Sequence, residues 1–377
     1  MKTDEIWKET KNPLLSEILA DDATEGHSKR LSRYAAAKAR QLQVVDYIVH
    51  QNVISDKPLL VKEHKALDEC GGFLVFRHYY QLEKYRLLAG CTCKKHLLCA
   101  LCAIRRAAKC VAVFSEKINH VTLGQEYDTL LITLTVKNGS DLAERYNHLQ
   151  KSFQKLLQKR KDALKKKPTQ ETLLKHVSGA IYSYEVTISD NGEYHPHMHM
   201  IALVPKGIFT YQERIIKKKA VRVAVDLWAG LVQDWQDITG DSKIVDVRKI
   251  ENEEDQISAL VETFKYALKF SEMDVETQVA CYLVLKSRRM IGSMGALFGV
   301  KLPDNLNDEL LPGEEKYVDL VYQYSGLNFG YQLTTQGEVG FEVKNLQRRH
   351  SRRRKESNEP QVKYAGAVKE WLADGPF

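Results

Sequence analysis

The stretch that most constrains this chain is Tyr194 to Met200, "YHPHMHM", which places His195, His197 and His199 at alternate positions. Side chains along a β-strand alternate between its two faces. The three histidines therefore share one face, and Met198, Met200 and Ala202 share the other. The apolar face needs helices packed against it. The histidine face needs another account, because neighbouring imidazoles repel one another when protonated. A divalent cation bound by neutral imidazoles removes that conflict. The stretch thus asks for a sheet with one face packed and the other face given to chemistry.

The flanking sequence supplies that sheet. "GAIYSYEVTIS" precedes the histidines, and Asn191-Gly192 between the two runs is a strong hairpin signal. "DTLLITLTVKN" (128–138) alternates, with Leu130, Ile132, Leu134 and Val136 on one side and Leu131, Thr133 and Thr135 on the other. A helix follows, opened by Ser140 or Asp141 as N-cap and rich in lysine to residue 167. "TYQERIIKKKAVRVAVDLWAGLVQDWQDITG" reads as helix, "KIVDVRKI" as strand and "NEEDQISALVETFKYALKFSEM" as helix. From residue 128 the order is β-α-β-β-α-β-α. The expected fold class is α+β, with a central, largely antiparallel sheet and packed helices. Four segments are expected: a helical region over 1–65, a cysteine-rich segment over 66–120, a catalytic domain over 121–305, and an extension with a basic tail over 306–377.

The formal net charge is +7, and the excess is clustered in Lys151 to Lys167, Arg214 to Lys219 and "QRRHSRRRK" (347–355). Such blocks suit phosphate backbones. No apolar run approaches the roughly 20 residues needed to span a bilayer, and the first residues lack the apolar core of a signal peptide. A cytoplasmic location is the default expectation.

Five of the seven cysteines crowd into "CTCKKHLLCALCAIRRAAKC". An odd count argues against a disulfide framework, and the crowding argues for metal. Cys91, Cys93, Cys99 and Cys102 are the expected ligands of one structural zinc. The C-x-C half is tight for one ion, so Cys70 or His96 is a substitute for one member.

A second metal site is expected on the histidine face, held by His197 and His199. Mg2+ or Mn2+ there would want oxygen as well. Glu185 on the partner strand is the natural donor, with His195 as its rival. A two-residue turn at Asn191-Gly192 would set Glu185 opposite Met198, on the wrong face. A bulge or a three-residue loop would bring it opposite His199. Further on, a continuous helix through Ile257 puts Leu260, Val261, Phe264 and Leu268 on an apolar stripe. Tyr266 then falls on the opposite side, near Glu262 and Lys269.

"LLITLTVK", "HPHMHMIAL" and "ETFKYALKF", in this order, resemble the three motifs of the replication initiators of rolling-circle plasmids, which belong to the HUH (His-hydrophobic-His) single-strand endonucleases. "VDVRKI", "LKSRRMIGSMGALFG" and a cysteine cluster followed by Arg105-Arg106 are similar too. The resemblance covers roughly residues 90 to 300. "HLLCALC" departs from the pattern in lacking a proline after its first cysteine.

The resemblance implies a bacterial enzyme that nicks and rejoins single-stranded plasmid origin DNA, working beside a host helicase and polymerase. Tyr266 is then the nucleophile, forming a 5′-phosphotyrosine link and freeing a 3′-hydroxyl primer. Glu262 directs the terminating cleavage, and Lys269 or Lys265 stabilises the phenolate. The cations implied at the DNA are Lys265, Arg105, Arg106, Arg288 and Arg289; the basic tail, outside the resemblance, adds Arg348, Arg349, Arg352, Arg353 and Arg354 as expected phosphate contacts on its charge alone. Transposases and mobilisation relaxases share this chemistry. A non-catalytic zinc-dependent DNA-binding regulator and a metal hydrolase that uses water are the alternatives from other classes.

Overall fold

The computed structural model describes residues 24–54, 60–166, 168–216, 219–302, 305–313 and 315–337. Arg348, Arg349, Arg352, Arg353 and Arg354 lie outside these residues. The chain divides into two compact units. One takes the residues up to Cys102 and those from Asn305 onward, and the other takes Ala103–Asp304.

In chain order the elements begin with helices α1 (Thr24–Ile54) and α2 (Val61–Glu69) and strands β1 (Phe73–Tyr79) and β2 (Lys84–Gly90). Helix α3 (Ala100–Thr122), strand β3 (Tyr127–Thr135) and helix α4 (Leu142–Ala163) follow. Next come β4 (Gly179–Ile188), β5 (Tyr194–Pro205), β6 (Tyr211–Ile216), β7 (Lys219–Ala224), α5 (Val225–Thr239) and β8 (Val245–Ile250). Helices α6 (Glu253–Phe264), α7 (Tyr266–Glu272) and α8 (Val275–Leu285) precede β9 (Ile291–Gly295), β10 (Val318–Ser325) and β11 (Gly330–Gly337). The expected α+β class with antiparallel sheets is borne out.

The first unit is built on the antiparallel sheet β11-β10-β1-β2. Its last two strands arise after residue 305, where the sequence pattern looks weak. Helix α1 is the expected long helix, but its cations are not a free surface. Arg30 pairs with Asp308 at 2.9 Å, and Lys38 donates to the Asp68 carbonyl at 2.5 Å; both side chains are buried.

The second unit holds the sheet β8-β3-β5-β4-β9, antiparallel throughout. One face is apolar: Leu130, Ile132, Leu134, Met198, Met200 and Ala202 are fully buried. Helix α4 packs against β5 on this side and α5 against β8. Asp141 is the N-cap of α4, accepting from the Glu144 N–H at 3.0 Å. Trp235, fully buried on α5, donates its indole N–H to the Thr135 carbonyl at 2.8 Å. Contacts on the other side come from α6 to β5 and α7 to β4, so the β3–β8 half of that face stays open.

One expected helix is corrected. Strands Tyr211–Ile216 and Lys219–Ala224 pair as a two-stranded ribbon, β6-β7, and the helix begins only at Val225. Alternating β-branched residues decide this: Ile215, Val221 and Val223 fit a pleated pair better than a helix.

The pairing of β9 with β4 depends on Gly295. Its φ is +59°, and a Cβ there would lie 2.1 Å from the Ser178 carbonyl oxygen. Gly295→Ala should therefore destabilise the second unit by about 1–3 kcal/mol. Thermal unfolding should show a midpoint lowered by several degrees, while an unchanged midpoint would show that β9 adjusts freely.

Candidate functional site

Strand β5 is the centre of the site. The hairpin before it closes with a three-residue loop, Asp190 to Gly192, in which the Ser189 N–H donates to the Glu193 carbonyl at 2.9 Å and Gly192 takes a φ of +80°. A loop centred on Asn191 sets Glu185 opposite His197. That corrects the expected pairing with His199, which becomes a neighbour one pair further along. Because paired residues of adjacent strands share a face, Glu185, His197 and His199 converge.

The donor atoms are close and buried. Glu185 Oε1 lies 3.5 Å from His197 Nε2, and Glu185 Oε2 lies 3.6 Å from His199 Nε2. An ion held at about 2.1 Å by imidazole and carboxylate sets neighbouring donors about 3.0–3.5 Å apart. The orientation is fixed from behind. His197 Nδ1–H donates to the His195 carbonyl at 3.1 Å, and His199 Nδ1 bonds the Thr133 hydroxyl at 3.0 Å. Both Nε2 atoms therefore face the centre of the group. Glu185 Oε2 and His199 Nε2 are buried without a hydrogen-bond partner. An unpaired buried carboxylate oxygen is costly, and a cation at this point satisfies both atoms. These three residues can hold a metal ion.

Electrostatics prepares the same state. Burial pushes the His199 imidazole down to about 4, so it is neutral at ordinary pH. Burial would raise the Glu185 carboxyl, but a hydrogen bond from His197 and the nearby charges of His197, His199 and Lys265 hold it below its usual value. His195 takes another role. Its Nδ1 bonds the Asn138 side chain at 2.5 Å, and it lines the cleft without joining the donor group.

Glu262 reaches the site from α6, its Oε1 lying 3.6 Å from His199 Nε2 and its Oε2 2.5 Å from the Lys265 ammonium. Lys269 pairs with Glu272 at 2.8 Å and also feels the charges of Glu185 and Glu262. The tyrosine between these lysines points elsewhere. Tyr266 is only 2% exposed, and it receives a hydrogen bond from Arg106 and lies near Cys110 on α3. Burial pushes its phenol above the ordinary value.

The expected polar face shared by Glu262 and Tyr266 is thus corrected. The helix is interrupted at Lys265, where α6 ends and α7 begins. The cause lies on β4: the buried Ser183 hydroxyl donates to the Thr263 carbonyl, a group that an unbroken helix would use itself.

The arginines separate in the same way. Arg105 is buried. Arg106 faces Tyr266. Arg288 donates to the Asn147 side chain and sits over the Tyr146 ring, on the α4 side of the sheet. Arg289 is exposed and donates to the Ile291 carbonyl at 2.8 Å. None of the four lines the cleft beside the histidines. That cleft, of about 750 Å3, runs from the histidines over β3 to β8, between α6 and the ribbon strand β7. Arg222, Arg248 and Lys249 line it. Sequence reasoning missed them as site residues; for Arg248 the signal lay in "VDVRKI", whose alternation puts Asp246 and Arg248 on the histidine face.

The first unit carries the second donor group: Cys70, Cys93, Cys99 and Cys102. The Cys70–Cys99, Cys70–Cys102 and Cys93–Cys102 sulfur pairs are each 3.6 Å apart. Tetrahedral bonds of about 2.3 Å would set sulfurs about 3.8 Å apart. Backbone N–H groups of Lys95 and Cys102 donate to the sulfurs of Cys93 and Cys99, both at 3.4 Å. Cys91 is corrected out of the set and Cys70 takes its place. Cys91 is held at the end of β2, where its carbonyl accepts from the Gly71 N–H at 2.7 Å, and it packs against the Phe73–Val75–Ala89–Val321 core. Its neighbour two positions on, Cys93, is beyond the strand and free to turn inward.

Residues 84–328 match the family described as Replication protein. The chain belongs to that family. A protein named Protein rep from Staphylococcus aureus is 25% identical over 263 residues, spanning 69% of this chain and 98% of its own length. Another Protein rep, from Lentilactobacillus hilgardii, is 26% identical over 243 residues, spanning 63% of this chain and 69% of its own length. No solved structure matches the chain. The resemblance to rolling-circle plasmid initiators is borne out, and the family places the two donor groups in a plasmid replication initiator.

The thiol assignment is checked by metal content. Cys70→Ser should lower bound zinc in purified protein to well under one equivalent, whereas Cys91→Ser should leave it near one. The reverse pattern would return Cys91 to the ligand set.

Proposed function

We propose that this initiator nicks and rejoins single-stranded origin DNA by a metal-dependent, tyrosine-linked reaction on the histidine face. The observation that supports this most directly is the group Glu185, His197 and His199, with its two unpartnered buried atoms, opening onto a cleft beside Glu262 and Lys265. Mixed nitrogen and oxygen donors suit Mg2+ or Mn2+, and the four thiolates suit a structural Zn2+.

A divalent ion on the histidine face supplies Lewis-acid polarisation of the scissile phosphate. The protein's own groups do the rest. His197 and His199 are oriented by the His195 carbonyl and the Thr133 hydroxyl. The Tyr266 oxygen forms a bond to phosphorus as the bond to the 3′ oxygen breaks. The phenolic proton passes to solvent and the leaving oxygen takes one up, giving the 3′-hydroxyl primer. The phosphotyrosine ester keeps the energy of the broken phosphodiester, so the strand can be rejoined. Lys265 and Lys269 stabilise the phenolate. Glu262, accessible at 40% of its side chain, directs water or the terminating strand. Origin DNA is the partner, and a host helicase and polymerase extend the primer in the cytoplasm.

Tyr266 reaches the phosphate only if α7 turns about Lys265. Residues four apart lie about 40° from one another on a continuous helix, so closing the break at Lys265 brings Tyr266 onto the face of Glu262. Tetranitromethane treatment followed by mass spectrometry should find Tyr266 protected in the protein alone. It should become reactive when Mn2+ and a single-stranded origin DNA with a non-cleavable linkage at the scissile position are added. Equal protection in both states would mean that Tyr266 does not move and another group attacks.

The division of labour is tested by adducts on denaturing gels. His197→Ala and Tyr266→Phe should each reduce the covalent protein–DNA adduct at least a hundredfold. Glu262→Ala should keep the adduct but accumulate products longer than one plasmid length. An undiminished adduct in Tyr266→Phe would show that another side chain is the nucleophile, and cleavage with no adduct in the unaltered protein would point to a water-dependent hydrolase.

A further inference from the structure

The open half of the cleft is charged in an unexpected way for a channel that takes a polyanion. Its cations are already matched: Arg222 is paired with Glu251, Lys249 with Asp128 at 2.8 Å, and Arg248 with Asp246 at 2.6 Å. Such a lining does not attract phosphate strongly. It offers paired donors and acceptors, which is what base edges require.

Asp246 and Arg248 are the pair aimed at the strand. On the sheet, Asp246 stands opposite Thr133, which stands opposite His199, so all three share one row and one face. Arg248 follows in the next row, opposite Leu131. Two strand spacings separate Asp246 from His199, roughly 10 Å, within the reach of a nucleotide whose phosphate lies at the histidines. Both side chains are about one-third exposed or less and line the cleft. Their ion pair joins Nε of Arg248 and Oδ2 of Asp246, and that Nε is buried without a hydrogen-bond partner. The terminal guanidinium nitrogens and Oδ1 have no other partner among the described residues and remain available to a ligand.

We propose that Asp246 and Arg248 form a reading site for a guanine beside the scissile phosphate. The proposal rests on the histidine face being where the strand is cut. An unpaired guanine presents O6 and N7 as adjacent acceptors, and these take the arginine fork. Its N1–H and N2–H donors face a carboxylate. Thymine offers one acceptor and one donor of this kind, with a methyl group where guanine has N7. Adenine and cytosine present an acceptor where the carboxylate needs a donor. Guanine is the base that satisfies both side chains twice.

The test is binding by the full chain with no Mg2+ or Mn2+ added, so that no cleavage enters the measurement. Fluorescence anisotropy compares a nine-nucleotide dT strand with the same strand carrying one central dG, dA, dC, inosine or 7-deazaguanine. The dG strand should bind about tenfold tighter than dT. Inosine, lacking the N2 amine, and 7-deazaguanine, lacking N7, should each lose most of that gain. Asp246→Asn should no longer distinguish inosine from guanine. Arg248→Lys should lose sensitivity to 7-deazaguanine while its affinity for the dT strand stays the same, which separates reading from charge. Equal affinity for all four bases, or a guanine preference retained in both variants, would overturn the proposal. A failed nicking assay would leave it standing, because neither binding comparison depends on cleavage.

Discussion

The site depends on the antiparallel pairing of β5 between β3 and β4. That pairing joins two demands that one strand rarely meets together. Met198, Met200 and Ala202 bury fully on the helix side, and at about 25 cal/mol per Å2 this burial fixes the register. A slip of one residue would bury imidazoles among Leu130, Ile132 and Tyr184 and expose the methionines. The packing energy of the apolar face is thus what holds Glu185, His197 and His199 within reach of one another. The three donors contribute little to the fold themselves and depend on a register that other residues pay for.

The sequence made the two-faced strand legible because period-two alternation follows directly from backbone geometry. The α+β class and the roles of β3 and β8 followed from the same signal. What it could not show was anything decided by one residue of offset. Glu185 changes partner from Met198 to His197 when the loop gains one residue, and "DNGE" permits either. The β6-β7 ribbon was hidden because Arg214 to Lys219 looks like a basic helix until the alternation of Ile215, Val221 and Val223 is weighed. Strand β10 was missed because its partner β1 lies far earlier in the chain, and β11 pairs only with β10.

The remaining differences come from tertiary competition for single groups. Cys91 and Cys93 are equivalent in spacing, yet Cys91 is claimed by β-pairing with Gly71 and by the core around Phe73. Cys70, remote in sequence, is delivered to the other thiols by the turn at Gly71, whose φ is +69°. Burial pushes the Cys99 thiol up, while hydrogen bonds from Cys102, Cys70 and Cys99 hold Cys93 well below its ordinary value. Four buried sulfurs with 3.6 Å contacts among them are suited to a shared cation, which would hold them as thiolates. Arg105 likewise looked like a DNA contact in sequence, but the helix turns it inward.

In the proposed reaction, the two ends of the cleft divide the work of holding DNA. At the histidine end, Glu185 and Glu262 concentrate negative charge, which an incoming phosphate must meet. Lys265 and a divalent ion held by Glu185, His197 and His199 would reverse the local field there, so a phosphate would bind tightly only at a loaded site. At the β8 end the cations are internally matched and contribute hydrogen bonds rather than net charge. Affinity and selectivity are then carried by different residues. Salt should weaken the first through the phosphate contacts while leaving the second nearly unchanged. An initiator built this way can hold many single strands loosely, yet commit its tyrosine only where the base and the loaded phosphate site are both satisfied.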